Sequence, residues 1–242
     1  MAGYSTIEWT NATWNPVTGC SRVSPGCENC YAERMAKRLR AMGQNRYRNG
    51  FNVTLQSDIL DLPLSWRRPC RILVNSMSDL FHPDVPQDFI HRVFNMMGLA
   101  HWHVFQILTK RSDRLLDLSD SLPWHNNIWV GVSVENADFT YRVRHLQKVK
   151  SVVRFVSAEP LLGPINRLPL AGIDWIIVGG ESGPKARPMN GEWVRSILRQ
   201  CIQRDIPFFF KHWGGTRKSG SGRLFDGRLW NDFPQRKTNI AS

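Results

Sequence analysis

Short apolar runs rich in β-branched and aromatic residues recur along the chain at residues 72–75, 104–108, 128–134, 152–156, 173–178 and 207–210. Runs of this length read as buried strands. Residues 31–41, 87–99, 137–149 and 192–204, between and beside them, carry helical spacing. In the last of these, Trp193, Val194, Ile197, Leu198, Cys201 and Ile202 fall on one apolar face, which makes Cys201 core filling. Strands alternating with helices predict βαβ units and a mainly parallel sheet. With a weaker strand at residues 13–17, the pattern suits an α/β partial (β/α) TIM-like barrel, with an open doubly wound sheet as the alternative. No repeat or strong boundary breaks the chain, so residues 1–242 read as one domain. The stretch from about 214 to 242 reads as a basic loop and a C-terminal cover. In the loop, Gly214, Gly215, Gly220 and Gly222 are set among Arg217, Lys218 and Arg223, a composition suited to mobility.

Each strand stops in polar residues at its C-terminal end: Asn75, Ser76, Ser78 and Asp79; Thr109, Lys110 and Arg111; Ser133, Glu135 and Asn136; Ser157 and Glu159; Glu181 and Ser182; Lys211 and His212. In parallel α/β folds these ends converge on one face, where sites form. Within that mouth Glu135, Glu159 and Glu181 are candidates for proton transfer or for holding amines and hydroxyls. Lys110 and Lys211 are candidates for gripping a carboxylate or phosphate. For each of them a structural salt bridge is the competing role. The run from Gly179 to Gly183 permits close backbone approach. It matches neither G-x-G-x-x-G nor a P-loop, so nucleotide binding by those routes has no support.

Charge narrows the partners. The 32 Lys and Arg outnumber the 20 Asp and Glu, giving +12 and a pI near 10.0. That balance points to polyanions, nucleic acid above all. Arginines beside aromatic residues form stacking platforms for bases, although most of the aromatic residues here are core. No run reaches the roughly 18 apolar residues of a membrane span, and no signal-peptide pattern opens the sequence. Five Cys, an odd number, argue against a disulfide scaffold. A cytoplasmic, basic protein with no membrane partner is the expectation.

Cys20, Cys27 and Cys30 form C-x6-C-x2-C on a loop with Gly19, Pro25 and Gly26, which favour sharp turns. The loop follows the first strand and so belongs to the same mouth. Three readings stay open. A zinc site wants four closed ligands, with His82 or His212 as the fourth. Reduced core cysteines need an apolar setting. An iron–sulfur cluster held by three thiolates leaves one iron open for a ligand.

At this point the chain resembles the radical S-adenosylmethionine superfamily, which places three cysteines after the first strand of a partial β/α barrel. The usual spacing there is C-x3-C-x2-C; here the first gap is six. More closely, the chain is similar to a phage-associated family of three-cysteine-motif proteins. The similarity lies in Trp14-Asn15-Pro16-Val17-Thr18-Gly19-Cys20, Cys27-Glu28-Asn29-Cys30-Tyr31-Ala32, Asn75-Ser76-Met77-Ser78-Asp79-Leu80-Phe81, Leu108-Thr109-Lys110-Arg111, Ser157-Ala158-Glu159-Pro160-Leu161, Gly179-Gly180-Glu181-Ser182-Gly183 and Phe210-Lys211-His212-Trp213-Gly214. The Thr109-Lys110 pair also resembles spore photoproduct lyase, a DNA-repair branch of the superfamily.

The resemblance implies a 4Fe–4S cluster on Cys20, Cys27 and Cys30, with S-adenosyl-L-methionine on the fourth iron. It implies that Asn75, Ser76 and Asp79 face the methionine amino group, Lys110 its carboxylate, and Ser133 and Glu135 the ribose, with Tyr31 beside the cluster. Glu159, Glu181 and Lys211 are then the candidates for substrate contact, and Lys110, Glu159 and Glu181 the catalytic candidates. The implied chemistry is one-electron cleavage of the sulfonium followed by hydrogen abstraction from a substrate. That chemistry needs an electron donor as a partner. Joined to the charge, it makes nucleic acid the expected substrate, with DNA favoured and repair or base modification the outcome. The alternatives are a non-enzymatic, zinc-stabilised nucleic-acid-binding protein and a radical enzyme acting on a small molecule or protein.

Overall fold

The computed structural model describes residues 3–216 and 222–235. Its strands are β1 (Gly3–Tyr4), β2 (Ala12–Trp14), β3 (Val17–Thr18), β4 (Thr54–Leu55), β5 (Arg71–Val74), β6 (Val104–Thr109), β7 (Ile128–Ser133), β8 (Val153–Ala158), β9 (Trp175–Gly179), β10 (Phe208–His212), β11 (Leu224–Phe225) and β12 (Arg228–Leu229). Its α-helices are α1 (Tyr31–Ala41), α2 (Gln87–Leu99), α3 (Ser112–Ser119), α4 (Tyr141–Leu146) and α5 (Gly191–Ile202). The main sheet runs β1-β2-β5-β6-β7-β8-β9-β10. All its pairs are parallel except β1 on β2. The seven parallel strands curl into a half-barrel.

Strand order and side-chain phase together exclude the doubly wound alternative. Each parallel strand pairs with the next one along the main sheet, so the order never reverses and there is no switch point. With crossovers of one hand, α2 to α5 then cover the same face, while α1 packs through Ala32, Ala36 and Leu39 against Tyr47 and Met77. The two apolar clusters that contain strand residues of the main sheet separate by strand period. Ile72, Val74, Phe105, Ile107, Val130, Val132, Val156, Ile176 and Phe208 pack with Phe89, Val93, Leu115, Val143 and Ile197 of the helices. The alternate positions Leu73, Trp129, Phe155, Trp175, Ile177 and Phe209 form a second cluster that contains no helical residue. The continuous apolar runs in the sequence are thus strands buried on both faces, as parallel sheets require.

The inner face is graded. Its lower part is aromatic: Trp9 lies 6.0 Å from both Phe155 and Trp175, and Phe233 lies 5.0 Å from Trp175. Two residues further along β7 and β8 from Gly131 and Phe155, the same face presents Ser133 and Ser157, which are register partners. Gly131 is what lets Phe155 fill the middle, because a Cβ there would stand 2.4 Å from the Phe155 ring. Gly131→Ala is therefore expected to destabilise the protein by about 1–3 kcal/mol, read as a lower urea midpoint at unchanged slope. An unchanged midpoint would show that the ring has somewhere else to go.

The C-terminal segment covers an open edge. Phe210 N–H donates to Trp230 O at 3.0 Å, Asp232 N–H donates to Phe208 O at 3.2 Å, and Asn231 pairs antiparallel with Phe209. This satisfies the exposed side of β10, which would otherwise invite pairing with another chain. Arg217, Lys218 and Gly220 of the expected basic loop lie outside the described residues. Among the described residues no helix is long and apolar enough to cross a membrane.

Candidate functional site

The cysteine loop is zipped to the strand ends on two sides. Asn75, just after β5, adopts a left-handed backbone, φ 61°. Its N–H donates to Trp14 O at 2.8 Å and its Oδ1 accepts from Val17 N–H at 3.2 Å. Ser78 Oγ donates to Val17 O at 2.7 Å, and Gly19 N–H donates to Met77 O at 3.1 Å. From the other side, Cys20 N–H donates to Phe51 O at 3.0 Å. Gly19 is needed here on two counts. Its φ is +84°, and a Cβ would stand 2.2 Å from Asn52 O. A tight turn over Pro25–Cys27 follows, and Cys30 caps α1.

All three thiols are free and partly exposed. Burial first, then the Asp79 carboxylate, push the Cys20 thiol up to about 12; Cys27 and Cys30 add to this and the Arg111 guanidinium opposes it. Burial also raises Cys30, against backbone N–H groups of Glu33 and Ala32 at the start of α1. Burial thus favours the neutral thiol at Cys20 and Cys30, and a bound metal centre would supply the positive charge that favours their thiolates. A single tetrahedral ion needs thiolates converging at about 2.3 Å on one point. Among the described residues no three His, Cys, Asp or Glu side chains are so grouped. A four-iron cluster asks for something different, because each thiolate takes its own iron. Three soft thiol donors on one loop fit that demand.

His82, the candidate fourth zinc ligand, has both ring nitrogens engaged. Nδ1 accepts from Asp84 N–H at 3.1 Å and Nε2 meets Ser21 Oγ at 2.7 Å. His212 is buried on β10 with its Nε2 3.8 Å from Glu159.

Beside Cys27 lies a fully buried carboxylate, Glu135. Its Oε1 accepts from Ser24 Oγ at 2.6 Å and pairs with Lys110 Nζ at 2.7 Å; its Oε2 accepts from Arg142 Nη1 at 2.9 Å. Burial alone would raise its pKa. The Lys110 ammonium and Arg142 guanidinium outweigh burial and hold the carboxyl below its usual range. Arg142 also donates to Ser133 O at 2.9 Å and stacks 4.4 Å from the Phe139 ring centroid. Gly26 rests on this group, since a Cβ there would stand 2.5 Å from Glu135 Oε1.

Glu181 holds the other flank of the loop. Its Oε2 accepts from Asn29 Nδ2 at 3.0 Å and from Arg187 N–H and Nε at 2.9 Å, and its Oε1 accepts from Arg187 Nη2 at 2.5 Å. Arg187 continues to Glu28 at 3.0 Å and to Pro25 O at 2.8 Å. The result is a strap across residues 25–29. The neighbouring glycines make room for the chain itself: a Cβ at Gly180 would stand 2.0 Å from Trp213 O, and one at Gly183 1.9 Å from the Arg34 guanidinium.

The remaining candidates spread around the strand ends. Asp79 accepts from Thr109 Oγ1 at 2.7 Å, Phe81 N–H at 3.0 Å and Lys110 N–H at 3.1 Å, bolting β5 to β6. Ser76 Oγ donates to Asn15 at 3.2 Å. Ser133 is buried and Tyr31 is exposed at the start of α1. Glu159 pairs with Lys211 across the mouth. Asn75 Nδ2, Ser157 Oγ and Arg111 Nε are buried here with no hydrogen-bond partner among the described residues. Arg142, Arg187 and Ser24 are site residues that no sequence pattern singles out, and Asn29 stands in the cysteine motif without a role assigned to it there. Arg142 sits two residues before Arg144, an exposed arginine on the same short helix, and nothing local tells them apart.

Two solved structures are similar to this chain. One is a tyrosine-to-phenylalanine variant of spore photoproduct lyase: TM-score 0.54, 10% identity, 88% of this chain and 79% of that one. Another is spore photoproduct lyase complexed with dinucleoside spore photoproduct: TM-score 0.46, 14% identity, 84% of this chain. The chain spans 64% of the length of that second structure. At 10% identity the likeness to the first of these is one of fold. No curated protein matches the sequence. The model of the family described as "Protein of unknown function (DUF5131)" matches residues 4–234, and the chain belongs to that family.

Proposed function

We propose that this protein is a radical S-adenosylmethionine-type enzyme acting on nucleic acid, DNA in the first instance. The observation that carries the reading is the trio of free thiols on a loop pinned to the strand ends of a half-barrel. Cys20, Cys27 and Cys30 would hold the cluster. When bound, a cluster of this kind delivers one electron to the sulfonium of S-adenosylmethionine. Asn75, whose Nδ2 is a buried donor with no partner, and Ser133 present polar atoms from the β5 and β7 ends. Tyr31, Ser76, Asp79, Lys110 and Glu135 complete the surroundings. Of these, Asp79, Lys110 and Glu135 fix the shape of the mouth through one another. Glu159 and Lys211 form the charged pair on the substrate side, and Glu181 orders the cysteine loop. The likeness to spore photoproduct lyase and the +12 charge support nucleic acid as the substrate class.

Anaerobic reconstitution with iron and sulfide tests this. The expected product is a brown protein with about four irons per chain, the content of the cluster, that releases 5′-deoxyadenosine from S-adenosylmethionine under a strong reductant. A colourless protein that binds one zinc ion would reject it. Specific binding to DNA that persists at moderate salt supports the substrate class; binding that vanishes there is counterion release alone and removes it.

A further inference from the structure

Arg111, just past the end of β6, is 6% exposed. Its Nη2 donates to Ser21 O at 3.1 Å and Ser21 Oγ at 2.9 Å, and lies 3.9 Å from Cys20 Sγ as a donor. Ser21 Oγ is held in turn by His82 Nε2 at 2.7 Å. Because His82 Nδ1 accepts a backbone N–H, the ring proton sits on Nε2 and the ring is neutral. Burial, and then Arg111 itself, keep it so.

Of the other cations at this end of the barrel, Arg114 donates to the carbonyls of His82 and Val85 and Arg34 to Ser182 O, away from the thiols, and four are paired with carboxylates. Lys110 and Arg142 pair with Glu135, Arg187 with Glu181, and Lys211 with Glu159. Asp79, between β5 and β6, has both oxygens occupied by Thr109, Phe81 and Lys110. Among the described residues no carboxylate pairs with Arg111, and its Nε is buried without a partner. A buried guanidinium facing only neutral oxygens is costly unless an anion meets it. The atom it faces that can become an anion is the Cys20 sulfur.

We propose that Arg111 is a positioning and tuning residue for the redox centre, an inference that rests on the function proposed above. Its charge faces the Cys20 corner of the cluster. Taking up one electron lowers the net charge of the centre by one, so a fixed cation beside it stabilises the reduced form and raises the reduction potential. Ser21 and His82 hold the guanidinium at that distance.

The test is a potentiometric titration of the reconstituted protein, followed by visible absorbance and electron spin resonance, for wild type, Arg111→Lys and Arg111→Gln. At the wild-type midpoint, Arg111→Gln is expected to show a reduced-to-oxidised ratio about tenfold lower, a downward shift of about 59 mV for a one-electron couple. Arg111→Lys should stay near wild type. If Arg111→Gln folds but takes up no cluster while Arg111→Lys does, the charge requirement is likewise supported. An unchanged midpoint in Arg111→Gln would overturn the proposal, as would loss of the cluster from both variants, which would assign Arg111 to loop shape alone. Wild type that takes up no iron defeats the function proposed above instead, so the two failures read differently.

Discussion

The Cys27→Ala protein, taken through anaerobic reconstitution beside wild type, is expected to come out colourless. Its iron should fall to the background of untreated protein, and 5′-deoxyadenosine release should be lost. Cys27 stands on the tight turn between two other thiols, and no other cysteine is near enough to replace it. Cys70 lies just before β5, hydrogen-bonded to His103, and Cys201 is buried on α5 among Val194, Ile197 and Leu198. Cys201→Ala supplies the matched control, because it removes a thiol from the core and leaves the loop intact. It should keep colour, iron and release, and lose only modest stability. Colour and release that persisted in Cys27→Ala would sever the function from the trio.

The second large effect concerns folding. Glu135→Ala should destabilise the protein by about 3–5 kcal/mol, because it leaves the buried Arg142 and the largely buried Lys110 without their shared anion. Its acid response should change too. The folded carboxyl titrates below its ordinary value of 4.5, so the unfolded chain binds the proton first. Its stabilising contribution is therefore complete above about pH 4.5 and is lost as the pH falls through the lower folded value. Glu181, lowered by Arg187 against burial, behaves in the same direction. Urea midpoints measured from pH 7 down to pH 3 should fall steeply below about 4.5 in wild type and less steeply in Glu135→Ala. Equal slopes would show that the ion cluster is not linked to folding. Glu135→Gln, which keeps the shape and removes the charge, should have an intermediate midpoint at pH 7 and share the shallower acid slope of Glu135→Ala, because neither side chain titrates.

Both predictions fall on the loop of residues 20–30 and its supports, and the two halves of that assembly differed in how plainly the sequence announced them. The cysteines, Gly19, Gly26 and the polar strand ends were legible because their chemistry is local: spacing, turn formers and the abrupt stop of an apolar run. The strands were legible for a similar reason. A segment buried on both faces must be continuously apolar, and residues 128–133 could be little else. Helix α1 and helix α2 follow their apolar spacing over residues 31–41 and 87–99. The periodicity over residues 137–149 belongs in part to a 3-10 turn at Ala137–Phe139, and α4 covers only Tyr141–Leu146. Helix α3 gave no signal, because it buries only Ser112, Leu115 and Ser119, two of them polar.

The amino-acid sequence determined the seven parallel strands and the trio of thiols, since each follows from residue type and spacing along the chain. The tertiary structure alone decided which charges cancel. Lys110 meets Glu135 across 25 positions, Arg187 reaches back to Glu28 across 159, and Arg111 finds the Cys20 sulfur across 91. Such pairings depend on which strand ends become neighbours as the sheet curls. A charged side chain read in sequence carries only its sign; its partner, and so its effect on the site, is set by the fold.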